Sequence, residues 1–292
     1  MRLRYMHIRI SILSIVYVLG DHAFSTQLAA EAPKDFKRIY CALRERPERT
    51  PQFGFCVGCL DCQMTRPNIP FDRASTTSLN WGGYAALTKP NATRNSVTAV
   101  AGRWRVPTIF ASSQNRYSSA WVGIDGYASS TVEQIGTAHD WIRGRQRNYA
   151  WFEMYPSPAY EIVGFPVRVG DLMGGRVIYK GNNVFELTIF NYTRGVYYIV
   201  PSKYTKRSNT ARSSAEWIVE PPFSGSILPL AQFSTISFSN CSTTIQGKTG
   251  VISNSKWRND KITIVTQSGA LKALPSGLTS GGSAFTIAWK HQ

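Results

Sequence analysis

Val184-Phe-Glu-Leu-Thr-Ile-Phe190 and Val196-Tyr-Tyr-Ile-Val200 are β-branched and aromatic runs bounded by Asn, Gly and Pro, the composition of strands. Ile262-Thr-Ile-Val265 and Ala284-Phe-Thr-Ile-Ala-Trp289 repeat the pattern. Thr98, Val100, Gly102, Trp104 and Val106 share one parity up to Pro107. After residue 77 no amphipathic helix of four turns appears and no helices alternate with the strands, which argues against a parallel α/β sheet. Many short strands with frequent turns instead suggest an all-β domain over 77–292, a sandwich of two antiparallel sheets packed face to face. Composition agrees. With 43% hydrophobic and 12% aromatic residues the chain is too apolar for disorder, and 17% charged residues are too few for a coiled coil.

The N-terminus reads as an address. Arg2, Arg4 and Arg9 precede the apolar run Ile10-Ser-Ile-Leu-Ser-Ile-Val-Tyr-Val-Leu19, and small residues follow at Ala23, Ser25, Ala29 and Ala30. The run is shorter than the ~20 residues of a membrane span, so residues 1–30 are expected to be a signal peptide and the product to be secreted, with no membrane association after its removal. Residues 31–76 are expected to form a propeptide or N-terminal extension. Phe36, Ile39, Tyr40 and Leu43 recur there at helical spacing between Pro33 and Pro47, which predicts a partly helical segment. Cys56, Cys59 and Cys62, with Cys41 upstream, have spacing that could hold zinc or an iron–sulfur cluster, although disulfides are the commoner outcome in an exported chain. Cys241 reads as a buried thiol. Asn91, Asn191 and Asn240 open Asn-X-Ser/Thr sequons and are candidate glycan sites.

Charge is strongly basic, +16 overall, of which +12 falls in 77–292. The excess is scattered apart from short knots at Arg143, Arg145, Arg147 and at Lys203, Lys206, Arg207. That pattern suits acidic surroundings or anionic cell walls at least as well as nucleic acid, which is not an expected partner. Histidine is scarce. Only His139 lies well inside the body, so Ser-His-Asp, Cys-His and two-His zinc chemistry lack their parts. No Walker loop or Gly-X-Gly-X-X-Gly follows a strand, there is no Gly-X-Ser-X-Gly elbow, and no cofactor is expected.

An exported enzyme of this composition would work with carboxylates, amides or hydroxyls. Residues 77–292 hold ten acids. Asp125, Glu153 and Glu220 each follow an apolar, Trp-containing run, where an ionised carboxylate is costly unless it is hydrogen-bonded. With Gln134 in Val132-Glu-Gln-Ile-Gly136, they suggest a polar cleft on one sheet face.

Six blocks carry a resemblance: Asn80-Trp-Gly-Gly-Tyr84, Val100-Ala-Gly-Arg-Trp-Arg-Val-Pro107, Ala120-Trp-Val-Gly-Ile-Asp-Gly126, Glu133-Gln-Ile-Gly136, Ala150-Trp-Phe-Glu-Met-Tyr-Pro156 and Ala215-Glu-Trp-Ile-Val-Glu220. In this order they resemble the glutamic peptidases, the eqolisins or G1 family, over about residues 80–220. The resemblance implies a β-sandwich of two long curved sheets of concanavalin-like or jelly-roll type, a removable propeptide, peptide substrates, no cofactor, a monomer and a catalytic Gln–Glu pair. The glutamine falls on Gln134 and the glutamate on Glu220. Glu216 shares a strand face with Glu220 but lies roughly 13 Å away at ~3.3 Å per residue, too far to serve the same water, and reads as structural. Pro221-Pro222 ends ladder pairing directly after Glu220, which puts that carboxylate at a sheet rim. Asp125 and Glu153 match positions lining the family's cleft, with supporting roles, and Trp81, Trp121 and Trp151 either wall the cleft or belong to the core. The well-known fungal members are acidic proteins, so the basic body here is expected to favour an ionised Glu220 and move the pH optimum. Two rival readings use the same residues: a glycoside hydrolase pairing Glu153 with Glu220, and a non-catalytic lectin-like sandwich.

Overall fold

The computed structural model describes residues 32–46, 74–279 and 281–291; the expected signal peptide and Cys56, Cys59 and Cys62 lie outside them. In chain order the strands are β1 Lys37–Arg38, β2 Ala42–Glu45, β3 Ala74–Ser78, β4 Gly82–Leu87, β5 Val97–Arg105, β6 Ser119–Ile124, β7 Val132–Ile142, β8 Arg145–Tyr155 and β9 Tyr160–Val163. They continue as β10 Leu172–Gly181, β11 Val184–Asn191, β12 Val196–Ile199, β13 Ser214–Glu220, β14 Ile236–Ile245, β15 Lys248–Val251, β16 Arg258–Val265, β17 Leu271–Pro275 and β18 Phe285–Trp289. The described residues contain no α-helix, only one 3₁₀ turn at Ser202–Tyr204. No helix among them is long and apolar enough to cross a membrane.

The strands form one mixed sheet. A hydrogen-bonded path runs β2-β9-β8-β7-β6-β13-β4-β16 and continues β16-β17-β18-β14-β5-β10-β11-β12-β1. The path doubles back, so β5 and β10 pack against β6 and β7 without pairing to them. Period-2 alternation decides what lies between the layers. Ala120, Val122 and Ile124 of β6, Ala150, Phe152 and Met154 of β8, Trp217 of β13 and Val100 and Trp104 of β5 all enter the main core. Each large side chain so buried stabilises the fold by about 1.5–3 kcal/mol. Three two-residue hairpins hold the register: Arg143-Gly144, Asn182-Asn183 and Gln246-Gly247 have positive φ at both central positions, the geometry whose twist matches the flanking strands.

The N-terminal segment departs from expectation. Residues 37–45 form two strands, not a helix: Ile39, Cys41 and Leu43 pack against the main core, whereas Tyr40 is 86% exposed. The period is therefore 2, and the reason is tertiary. β1 lies parallel to β12 and β2 antiparallel to β9, so unpaired sheet edges supply backbone partners that a short isolated helix would lack. β3 adds a second parallel pairing, to β16, and it spans the expected boundary at residue 76. Among the described residues Cys41 is in no disulfide, and burial pushes its thiol pKa up. Cys241 is the buried free thiol expected. Asn191 is fully buried and donates Nδ2–H to the Pro166 carbonyl at 3.0 Å and to Asp171 at 2.8 Å, so the folded chain offers no room for a glycan there.

Candidate functional site

The face of β6, β7, β8 and β13 turned away from the main core carries transverse rows, because directly paired residues point the same way. The first row is Glu153, Gln134, Gly123 and Glu216. The second is Trp151, Gly136, Trp121 and Ile218. The third is Tyr149, Ala138, Ser119 and Glu220. Trp81, Trp121 and Trp151 belong to a second apolar cluster on this face, with Tyr149, Tyr155 and Ile218, and the Trp81 and Trp121 rings meet edge to face at 4.9 Å.

Gln134 and Glu153 touch: Nε2 of Gln134 donates to Oε2 of Glu153 at 2.7 Å. Gln134 Oε1 is buried and has no partner, an arrangement that leaves an acceptor for an incoming hydrogen. Glu220 is the half-buried last residue of β13, and its Oε2 accepts from the Trp121 indole N–H at 2.8 Å. Gln134 and Glu220 thus share a face but lie in different rows, with Trp121 between them and no hydrogen bond joining them. On a flat sheet two strand spacings and four residues separate their Cα atoms by roughly 16 Å, and Glu220 shortens that gap by reaching back to the Trp121 indole in the intervening row. Glycine makes this floor. A Cβ on Gly136 would collide with the Ala120 carbonyl and the Trp121 side chain, and one on Gly123 would come within 3.1 Å of the Gln134 Cβ.

Asp125 is placed differently. It is fully buried with φ 74°, and its carboxylate accepts from the Arg212 and Ser213 amides at 2.6 and 2.8 Å, the Ser213 hydroxyl at 3.0 Å and the Thr131 hydroxyl at 3.3 Å. It ties the chain entering β13 to the end of β6 and makes no hydrogen bond to Gln134 or Glu220. Beside it stand Glu133 and Glu216, both fully buried. Burial pushes both pKa values well above the usual carboxylate range, and the negative charge of Asp125 pushes the same way. The register sets the two on opposite faces of the sheet, Glu133 across from Ile124 and Glu216 across from Gly123, and their burial was not legible in the sequence because it depends on the layers that cover each face. His139 is fully buried against Thr137 at 2.8 Å, and burial lowers its pKa to about 3, so it is neutral and remote from general-base work. Among the described residues no group of three or more His, Cys, Asp or Glu is arranged to hold a metal ion.

Residues 79–289 match the Peptidase A4 family, and the chain belongs to that family, the eqolisins or G1 glutamic peptidases. Aspergillopepsin-2 of Aspergillus niger is 28% identical over 193 residues, covering 59% of this chain and 66% of that relative. Scytalidopepsin B of Scytalidium lignicola is 28% identical over 184 residues, covering 60% and 67%. The chain therefore spans about two thirds of the length of these relatives. A crystal structure of scytalido-glutamic peptidase with a transition state analog inhibitor superposes with TM-score 0.60 at 24% identity, over 72% of this chain and 98% of that one. SCP-B in complex with the tripeptide Ala-Ile-His superposes with TM-score 0.57 at 22% identity, with the same coverage. These two share the fold.

Proposed function

We propose that the chain is a secreted endopeptidase that hydrolyses peptide bonds with a Gln134/Glu220 pair. The observation that carries this reading is the common face: both side chains project beside Trp121, and Gln134 is held by Glu153 with its Oε1 unpartnered. A neutral amide cannot be a base. Gln134 accepts a hydrogen from the attacking water through Oε1 and offers its second N–H to the developing oxyanion, a contribution of about 3 kcal/mol for one donor. Glu220 takes the proton from the water and returns it to the leaving amine, so each bond made or broken has a proton donor or acceptor; such a shuttle contributes about 10²–10⁴-fold. The indole N–H of Trp121 favours the ionised form of Glu220, the form that acts as base. Glu153 orients the Gln134 amide. The names of the relatives, Aspergillopepsin-2 and Scytalidopepsin B, support a peptidase.

A Glu153–Glu220 glycosidase pair is less well supported. Glu153 is engaged by Gln134, whose Nε2–H it accepts at 2.7 Å, so its carboxylate is committed to the amide and not to a second acid–base role across a sugar site. The test is digestion of denatured casein across pH 2–7 in the presence of pepstatin by wild type, Gln134→Ala and Glu220→Gln. Loss of activity in both variants with folding retained supports the pair. Full activity in either variant removes it.

A further inference from the structure

The layer formed by β14, β5, β10 and β11 turns its outer face away from Gln134, with the main core in between. On that outer face lies a groove of about 270 Å³, and nothing in the proposed hydrolysis uses it. Backbone and small side chains of Ala101, Gly102 and Gly175 form the floor; Asn240 and Ser242 offer polar groups; Phe190 and Tyr192 stand as walls. Two arginines line it. Arg176 is 8% exposed and gives Nη2–H to Glu186 at 3.1 Å. Arg103 is half-buried, its guanidinium stacked on the Tyr192 ring at 4.0 Å, and no carboxylate among the described residues pairs with it. Stacking fixes the plane of the fork and leaves its N–H edge free for a planar oxyanion.

We propose that this groove binds the carboxylate of an acidic polysaccharide, a uronic-acid polymer, and holds the peptidase on it with the Gln134 face directed away. Three observations select this occupant. Arg103 is a positioned, uncompensated cation at a concave site. The body that carries the groove is basic, +12 over residues 77–292, which draws a polyanion in from a distance. The groove lies on a sheet face whose strands already pair on both sides, β5 with β10 and β14, so an acidic peptide would find no open ladder to extend. The amide of Asn240 and the hydroxyl of Ser242 match sugar hydroxyls instead.

Retention on immobilised polygalacturonate, with elution by NaCl, tests this with protein produced free of N-glycans so that Asn240 is bare. Wild type is retained there and not on dextran. Arg103→Gln binds about tenfold more weakly, the effect of one charge-assisted hydrogen bond, and Arg103→Lys, which keeps the charge but not the fork, also loses affinity. Arg145→Gln, the same charge loss at an exposed hairpin position, stays within about twofold of wild type, since a rim charge contributes little. Soluble-peptide turnover and thermal unfolding of Arg103→Gln match wild type, which separates this site from the catalytic reading. Equal losses in Arg103→Gln and Arg145→Gln, or no loss in Arg103→Lys, would mean diffuse electrostatics and would overturn the site. Polyglutamate bound as tightly as polygalacturonate through Arg103 would overturn the saccharide assignment.

Discussion

Replacing Glu216 by Gln should make the protein more stable at neutral pH and less stable, if anything, in acid. Glu216 is fully buried in the row between Gly123 and Ala85, beside Asp125 and the equally buried Glu133. Burial, chiefly, and those neighbouring charges raise its pKa well above the carboxylate range. Below the unfolded-state value of ~4.3 both states hold the proton, and its stabilising contribution is complete. As pH rises past that point the unfolded chain ionises while the native state keeps its proton, so stability falls by about 1.4 kcal/mol per pH unit for each such group. The loss continues until the pH reaches the raised native value. Glu133 follows the same rule. Glu216→Gln removes one of the two slopes. In acid it gains nothing, and a buried amide with imperfect partners costs about 1–3 kcal/mol; as pH rises above the unfolded-state value the removed slope offsets that cost progressively. Urea unfolding from pH 4 to pH 8 reads the effect as stability curves that cross. Parallel curves for the two proteins would refute the argument, since they would mean that Glu216 titrates alike in the folded and unfolded chains.

Trp121→Phe removes the N–H given to Glu220 and should raise the pKa of that carboxylate, so the acid limb of the kcat/KM–pH profile moves to higher pH; an unmoved limb with reduced activity would mean a packing role only. Asp125→Asn weakens four hydrogen bonds at one buried carboxylate and should cost about 2–3 kcal/mol, read by denaturant midpoint, with kcat changed less than stability. Peptide mapping of protein secreted from a glycosylating host should find Asn191 bare, because its side chain is fully buried; Asn91, which is exposed, is open to modification.

The strand runs were readable because each is dense in β-branched and aromatic residues: the run at 184–190 falls within β11, and the shared parity of Val100, Gly102, Trp104 and Val106 is the buried face of β5 and its exit. The extension was misread for a physical reason. Phe36, Ile39, Tyr40 and Leu43 fit a helical stripe and Ile39, Cys41 and Leu43 fit a strand; local pattern cannot choose between them, and the choice falls to sheet edges more than a hundred residues away in sequence. At the site, the amide and rim glutamate could be named from motif blocks, but the Gln134–Glu153 bond, the Trp121–Glu220 bond and the inward turn of Asp125 depend on register and on one left-handed residue, which no spacing encodes.

Residues 37–45 touch both ends of the hydrogen-bonded path, β12 through β1 and β9 through β2. A single short stretch therefore seals two margins of the β-structure at once. Should maturation strip it away, Val196-Tyr-Tyr-Ile199 and Tyr160-Glu-Ile-Val163 would each present a bare row of amides and carbonyls, sticky templates for another molecule's backbone. A processed enzyme that keeps this stretch as a non-covalent fragment would stay dispersed, and one that loses it would have to meet its own copies.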